Sequence, residues 1–447
     1  MSDENSFGGR MSRYARVSSR MAGLGARMAG ERYLGIKTDR DRHARELTEA
    51  LGGLKGPLMK VAQMLTTIPD AIPEEYVVQL QALQSEAPPM RWLFVKRRMK
   101  SELGVDWQDR FAEFEHDATA AASLGQVHKA KLHDGRDVAC KLQYPDMGSA
   151  VEADLKQLRL ILSIYERADK AVRTKEIHTE IAARLREELD YAREAANMNM
   201  MRELLADVSQ AHIAEVVPDL STNRLLTMEW LQGDKILSFK EAPHEMRNQI
   251  CQNMFRSWYT PFYSAGVLHG DPHLGNYTIR QDGTVNLMDF GCIRVFPAHF
   301  VGAVIELYRA LQTDDEDRMV HAYETWGFSG LKREVIDVLS IWARFIYAPI
   351  LSDRVQKFEE TNSGDYGRET AQHVHQELRK VGGVTIPREF VFMDRAALGL
   401  GSVFLHMGAE LNWHQLYEQM IDGFSVEKAE ALQQSMIDKH HSGIPPA

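Results

Sequence analysis

His269-Gly270-Asp271-Pro272-His273-Leu274-Gly275-Asn276 runs into Tyr277-Thr278-Ile279-Arg280, Gln281-Asp282-Gly283, Thr284-Val285-Asn286-Leu287-Met288 and Asp289-Phe290-Gly291, and this stretch decides the fold. Two strand-like runs flank Asp282-Gly283, a strong hairpin-turn signal. An antiparallel hairpin sets its open ends side by side, so the spacing predicts that Asn276 at the entry and Asp289 at the exit converge. An amide oxygen and a carboxylate in one place suit a hard cation such as Mg2+, which keeps its other positions for water and nucleotide phosphates. His273 has no second histidine at helical ligand spacing, so a structural role suits it better than metal ligation.

Asp271 stands five residues before Asn276. That is the separation between the catalytic Asp and the metal-binding Asn in the pattern H-R-D-x-x-x-x-N, where the Asp accepts a proton from the attacking hydroxyl. Asp271 is therefore the candidate base, and Asn276 and Asp289 are the candidate metal ligands. Gly270 replaces the arginine of that pattern, which removes the usual docking point for a phosphorylated activation loop. Either motif alone could be a polar turn or a chance tripeptide. Their order, their spacing and the hairpin between them make the combination specific.

Upstream, Gly125–Leu132 and Arg136–Leu142 flank His133-Asp134-Gly135, a three-residue hairpin loop with glycine in the left-handed position. That register sets Val127 across from Lys141. By the period of two along a strand, Ala139 and Lys141 share a face with Val127, and Val138 and Cys140 take the other. The result is an apolar adenine seat beside an ammonium, and Lys141 matches the phosphate-contacting lysine of a V-A-x-K strand. The phosphate-covering loop ahead of it reads Ala120-Ala121-Ala122-Ser123-Leu124-Gly125, with alanines where glycines usually let backbone amides approach phosphate. Residues 176–205 read as one helix rich in Glu, Ala, Arg and Leu. On one helix Glu188 and Glu194 lie roughly 240° apart and cannot serve the same cation. Glu194 is assigned to Lys141 and Glu188 to another partner, with a solvated charged face as the alternative for both. Arg224–Leu231 reads as a buried strand leading to a linker, with backbone near Glu229 and Leu231 placed to read the adenine edge.

The 447 residues, 44% hydrophobic and 26% charged, are those of a folded globular protein with room for two or three domains. A net charge of −10 disfavours general nucleic-acid binding. Cys140, Cys251 and Cys292 are far apart, odd in number and without CxxC spacing, which points to a reducing compartment. Arg344, Asp394 and Arg395 interrupt the best apolar runs before the roughly 18 residues a membrane span needs. No secretory signal pattern opens the chain, and cytoplasmic residence is the simplest reading.

Four segments follow. Residues 1–40 form a basic arm in which Met11, Tyr14, Val17, Met21, Leu24 and Met28 alternate with arginines, an amphipathic pattern suited to peripheral contact with an anionic membrane. Gly23, Gly25 and Gly30 equally fit a frayed polar arm. Residues 41–105 read as a helical extension, 106–235 as a sheet-bearing nucleotide lobe, and 236–447 as a helical lobe with the catalytic loop. The class is α+β, with a cleft expected between the lobes.

These residues resemble the UbiB/ADCK family of atypical kinases, linked to ubiquinone biosynthesis. The resemblance rests on Lys60-Val61-Ala62-Gln63, Ala120-Ala121-Ala122-Ser123, Glu188-Leu189-Asp190-Tyr191-Ala192-Arg193-Glu194-Ala195, and His269 to Asn276 with Asp289-Phe290-Gly291. Ala62 and Leu274 depart from the motifs' glycine and proline. The resemblance implies a bilobal protein-kinase-like fold with ATP or ADP and Mg2+ as cofactors. It also implies a regulatory set in which a helix with Lys60 and Gln63 packs over the cleft, anchored by Glu188 and Asp190. After Gly291 the chain enters an apolar-periodic helix near Ala298–Leu311, with no A-P-E and no room for a full activation segment, which argues against protein substrates. The reading is an ATP-dependent kinase or ATPase acting on a small-molecule or lipid-linked substrate, such as a quinone precursor or isoprenoid lipid. The rival is a nucleotide-gated scaffold or lipid chaperone. Oligomeric state and partner proteins have no signature in the sequence.

Overall fold

The computed structural model describes residues 90–122, 124–168, 174–358 and 387–441. The basic arm, Lys60, Gln63 and Ser123 lie outside them. Two compact units divide the chain, residues 90–192 with Val217–Glu229, and Arg193–Val216 with residues 230–441. The units interleave in sequence, where the reading above drew one cut near 235.

The first unit holds α1 (Trp92–Leu103), β1 (Glu113–Phe114), β2 (Ala120–Ala122), β3 (Gly125–Lys131), β4 (Asp137–Gln143), α2 (Met147–Ala168), α3 (Thr174–Glu187) and β6 (Leu225–Glu229). Its sheet runs β1-β3-β4-β6, with β2 added to β3. The hairpin loop holds Gly135 at φ +90, so glycine is needed there. Val138, Cys140 and Leu142 of β4 bury one face against Ala130, Leu132, Trp107 and the α1 residues Val95 and Met99. Arg98 fixes α1 to the end of β4, donating from Nε to the Gln143 carbonyl (3.1 Å) and from Nη2 to that of Tyr144 (3.0 Å).

Two expectations change here. Ala120–Ala122 is a strand, paired Ala120↔Val127 and Ala122↔Gly125, where a covering loop was expected. Residues 176–205 are not one helix. The chain breaks between α3 and α4 (Tyr191–Leu204), at Glu188-Leu189-Asp190. Gln143 Nε2 donates to the Leu189 carbonyl (3.0 Å) and the Tyr191 amide donates to the Asn223 carbonyl (3.2 Å), so tertiary bonds replace those a continuous helix would make. The angular arithmetic that separated Glu188 from Glu194 therefore does not apply.

The second unit contains most of α4 and β5 (Ala211–Ile213), followed by β7 (Asp234–Lys235), α5 (His244–Ala265), β8 (Val267–His269), β9 (Tyr277–Ile279), β10 (Val285–Leu287) and β11 (Ile293–Val295). Helices α6 (Ala298–Thr313), α7 (Glu316–Thr325), α8 (Arg333–Leu351), α9 (Arg388–Met407), α10 (Trp413–Ile421) and α11 (Val426–His440) complete it, with the short pair β12 (Gln356–Lys357) and β13 (Glu410–Leu411). The expected hairpin is present, with Tyr277 opposite Leu287 and Ile279 opposite Val285. Gly283 sits at φ +81 in its turn. β5 adds in parallel to β10, a long-range pairing without a local signal. Among the described residues no helix is long and apolar enough to cross a membrane.

Candidate functional site

In the first unit β3 and β4 pair in the register read from the sequence, Val127 opposite Lys141. Pairing of β4 with β6 sets Met228 opposite Ala139, which adds an apolar side chain to the face shared by Val127, Ala139 and Lys141. Cys140, on the opposite face, is buried, and burial pushes its thiol up to about 12. Lys141 is itself only 8% exposed. Its Nζ lies 5.1 Å from the centroid of the Tyr191 ring, a cation–π contact in a desolvated place.

Tyr191 also explains Gly125. A Cβ there would fall 2.1 Å from the Leu142 carbonyl oxygen and 2.9 Å from the Tyr191 hydroxyl, so glycine is required by the sheet and by this ring. Neither Tyr191 nor Met228 was assigned a role from sequence. Both lie inside quoted stretches, but an aromatic ring after Asp190 and a Met within a strand read as core. Glu229 ends β6 opposite Val138, half-buried, and Leu231 follows two residues on, also half-buried. Glu188 and Asp190 are half-buried at the α3–α4 break. Glu194 falls in the first turn of α4, 5% exposed.

In the second unit the residues of the His269–Asn276 loop meet the Asp289-Phe290-Gly291 turn. The Asn276 carbonyl accepts from the Met288 amide (2.8 Å), which closes the hairpin one residue before Asp289. Asn276 Nδ2 donates to Asp271 Oδ2 (2.9 Å) and to the Asp271 carbonyl (3.2 Å). With its amide nitrogen used on Asp271, the Asn276 Oδ1 is the atom of this side chain that could ligate a cation. Asp289 has φ +56, a left-handed backbone uncommon outside glycine, and its Oδ1 accepts from the Gly291 amide (3.3 Å). One amide oxygen and one carboxylate from the protein fit Mg2+, which takes few protein ligands beside substrate phosphates. No group of three or more His, Cys, Asp or Glu side chains able to hold a metal occurs among the described residues.

His269 orders this loop. It is fully buried, with Nε2 2.8 Å from the Asp289 carbonyl and Nδ1 accepting from the Asp271 amide at 3.3 Å. Burial holds its pKa below the usual imidazole value, against the opposing pulls of Asp271, Asp289 and the carbonyl contacts. The neutral ring with hydrogen on Nε2 satisfies both bonds. The Trp258 indole donates to the His269 carbonyl (2.9 Å), and Asn197 Nδ2 of α4 donates to the Phe290 carbonyl (2.8 Å). Asn197 is three residues beyond Glu194, so one helix carries both that carboxylate and the tie to the Asp289 turn. His273 caps a short turn by accepting from the Gly275 amide (3.1 Å). Beyond Cys292 the chain forms β11 against β8, with Ile293 opposite His269, and α6 begins at Ala298.

The sequence matches the ABC1 atypical kinase-like domain over residues 82–323, more than half of the chain. Rat "Atypical kinase COQ8B, mitochondrial" is 30% identical over 311 residues, covering 67% of this chain and 59% of that protein. The Caenorhabditis elegans "Atypical kinase coq-8, mitochondrial" is 28% identical over 337 residues, 72% of this chain and 44% of its own length. Thus the chain spans about half the length of these curated relatives. Among solved structures, "The complex structure of Rv3197-erythromycin from Mycobacterium tuberculosis" aligns with a TM-score of 0.62 and 27% identity, covering 86% of this chain and 97% of that one.

Proposed function

The chain belongs to the ABC1 atypical kinase-like family, and from that premise we propose an ATP- and Mg2+-dependent phosphotransferase or ATPase that acts on a small-molecule or lipid-linked acceptor in support of isoprenoid quinone biosynthesis. The observation that carries this reading is the bond from Asn276 Nδ2 to Asp271 Oδ2 at the open end of the hairpin that delivers Asp289. Asp271 accepts the proton of the attacking hydroxyl, held in place by Asn276. Asn276 Oδ1 and the Asp289 carboxylate hold Mg2+, which when bound supplies charge neutralisation for the phosphates. Lys141 contacts the phosphates with Glu194 as its ordering partner, and Val127 and Ala139 seat the adenine, read at its edge by backbone near Glu229 and Leu231. Ala120, Ala121, Ala122, Ser123 and Gly125 cover the phosphates.

Lys60 and Gln63 with Glu188 and Asp190 form the regulatory set that excludes protein acceptors, consistent with the immediate passage from Gly291 into β11. The setting is a reducing, cytoplasmic compartment with peripheral contact to a membrane. The relatives named as kinases of the COQ8 group support the quinone link.

Phosphate release from ATP by the purified chain tests this. Asp271→Asn lowers the rate about 100-fold or more, the scale of a lost general base, and an Asp289→Asn protein as active as the parent refutes the assignment. The second reading, a nucleotide-gated scaffold or lipid chaperone, draws on the alanine strand Ala120–Ala122, whose Cβ atoms limit amide approach to phosphate. Under it, ATP binds with little release in the parent as well as in the variants.

A further inference from the structure

Within the second unit, helices α5, α6, α7, α8, α9 and α10 line a cavity of about 810 Å³. That is within the roughly 300–1,000 Å³ range of small-molecule sites. Its inner wall is aromatic, with Phe255, Phe262, Trp342 and Phe345 buried. The exposed Leu398, Ser402 and His406 of α9 and Lys240 line it where the walls reach solvent. Among the described lining residues there is no Asp or Glu, and Lys240 and His406 are the lining groups able to carry positive charge. Apolar depth with a lysine at the rim selects a chain that buries its apolar body and keeps a negative head in water.

The cavity also adjoins the candidate site through a single element. Leu398, Gly401 and Leu405 of α9 line it, while Gly399 of the same helix abuts Pro272 so closely that a Cβ would lie 2.2 Å from Pro272 Cγ.

We propose that this cavity is a binding site for a single-chain amphiphile with an anionic head, its chain among the aromatic residues and its head at Lys240. The proposal goes beyond the phosphotransfer reading and does not need it. Carboxylate and phosphate heads share the required chemistry, so both are tested. The full chain is titrated, without nucleotide, with dodecyl phosphate, dodecanoate and dodecan-1-ol at submicellar concentration, by calorimetry and by tryptophan fluorescence.

Saturable binding of one or both anions is expected, with stronger heads identifying phosphate or carboxylate as the source. Lys240→Glu weakens the anions about fivefold, the scale of an exposed charge pair, and leaves dodecan-1-ol unchanged. Ala343→Trp fills the interior, and Leu398→Trp, at a position 37% exposed and tolerant of size, narrows the mouth; each lowers affinity at least tenfold. Absence of saturable binding overturns the proposal, as does equal affinity for the alcohol or binding indifferent to Leu398→Trp. The same titration on Asp289→Asn separates the two readings, because binding there persists even where phosphate release is absent from every protein tested.

Discussion

Replacing Gly399 by alanine sets two opposed effects against each other. In a helix interior, glycine to alanine ordinarily stabilises by about 1 kcal/mol, because alanine has less backbone freedom to lose. At this position the new Cβ would lie 2.2 Å from Pro272 Cγ and 3.0 Å from its Cβ. Carbon atoms settle at about 3.5–4.0 Å, so one partner must retreat by more than 1 Å. The proline ring cannot rotate away, and Pro272 is buried between Asp271 and His273, so the His269–Asn276 loop has to shift with it. Overpacking of this kind costs about 1–3 kcal/mol; a clash this close falls at the upper end, which outweighs the helical gain and leaves a net loss of up to about 2 kcal/mol. Urea titration reads this as a lower midpoint, and thermal unfolding as a drop of about 2–4 °C per kcal/mol. In a Pro272→Ala background the 2.2 Å contact with Cγ is gone and only the 3.0 Å contact with Cβ remains, so Gly399→Ala costs much less, with a coupling of about 1 kcal/mol or more in the double-mutant cycle. A Gly399→Ala protein more stable than the parent, or a cycle additive within about 0.5 kcal/mol, refutes the close packing of α9 on the loop.

Trp258→Phe keeps most of the buried ring but removes the donor to the His269 carbonyl. The stranded acceptor lowers unfolding stability by about 1–3 kcal/mol, and an unchanged urea midpoint would contradict the bond. Tyr191→Leu removes the ring facing Lys141 and weakens nucleotide affinity by about 0.5–2 kcal/mol, read as a raised KM for ATP; Tyr191→Phe stays near the parent, and equal behaviour of the two sinks the cation–π role. The pH response follows from His269, whose folded pKa lies below the usual imidazole value of about 6.5 because of burial. The unfolded chain then binds more protons below that value, so this contribution to stability is full above about pH 6.5 and is lost as the pH falls through the folded pKa. His128 and His441 are lowered in the same sense, also first by burial. His269→Gln should therefore flatten the decline in stability between pH 7 and 5 only in part, and an unchanged slope refutes the buried neutral ring.

What was legible in advance was local. Asp282-Gly283 and His133-Asp134-Gly135 specify turns, and with the period of two they settle which residues face each other. Hence both hairpins, and the placing of Val127 opposite Lys141, could be read before any coordinates. The Ala298–Thr313 helix was legible for the same reason, from an apolar period carried over several turns. Spacing also identified Asp271 and Asn276 as a unit, and the bond between them is local, spanning five residues.

What the amino-acid order could not reveal depends on partners distant in the chain. The break at Glu188-Leu189-Asp190 has no glycine or proline to announce it, and it is set by Gln143 and Asn223, residues from other strands and turns. Trp258, Asn197 and Tyr191 read as ordinary helical residues until folding turns an indole to a catalytic-loop carbonyl, an amide to the Phe290 carbonyl, and a phenol ring to a buried ammonium. The cavity is of the same kind, since no stretch of sequence contains it; it exists because six helices pack with a gap between their aromatic faces. By itself, then, the sequence determined the turns, the strand faces and the pairing of Asp271 with Asn276 at the hairpin's open end, because those follow from geometry over a few residues. Tertiary packing alone decided which buried polar groups hold that loop in place, because their partners are chosen only when separate segments lose water together.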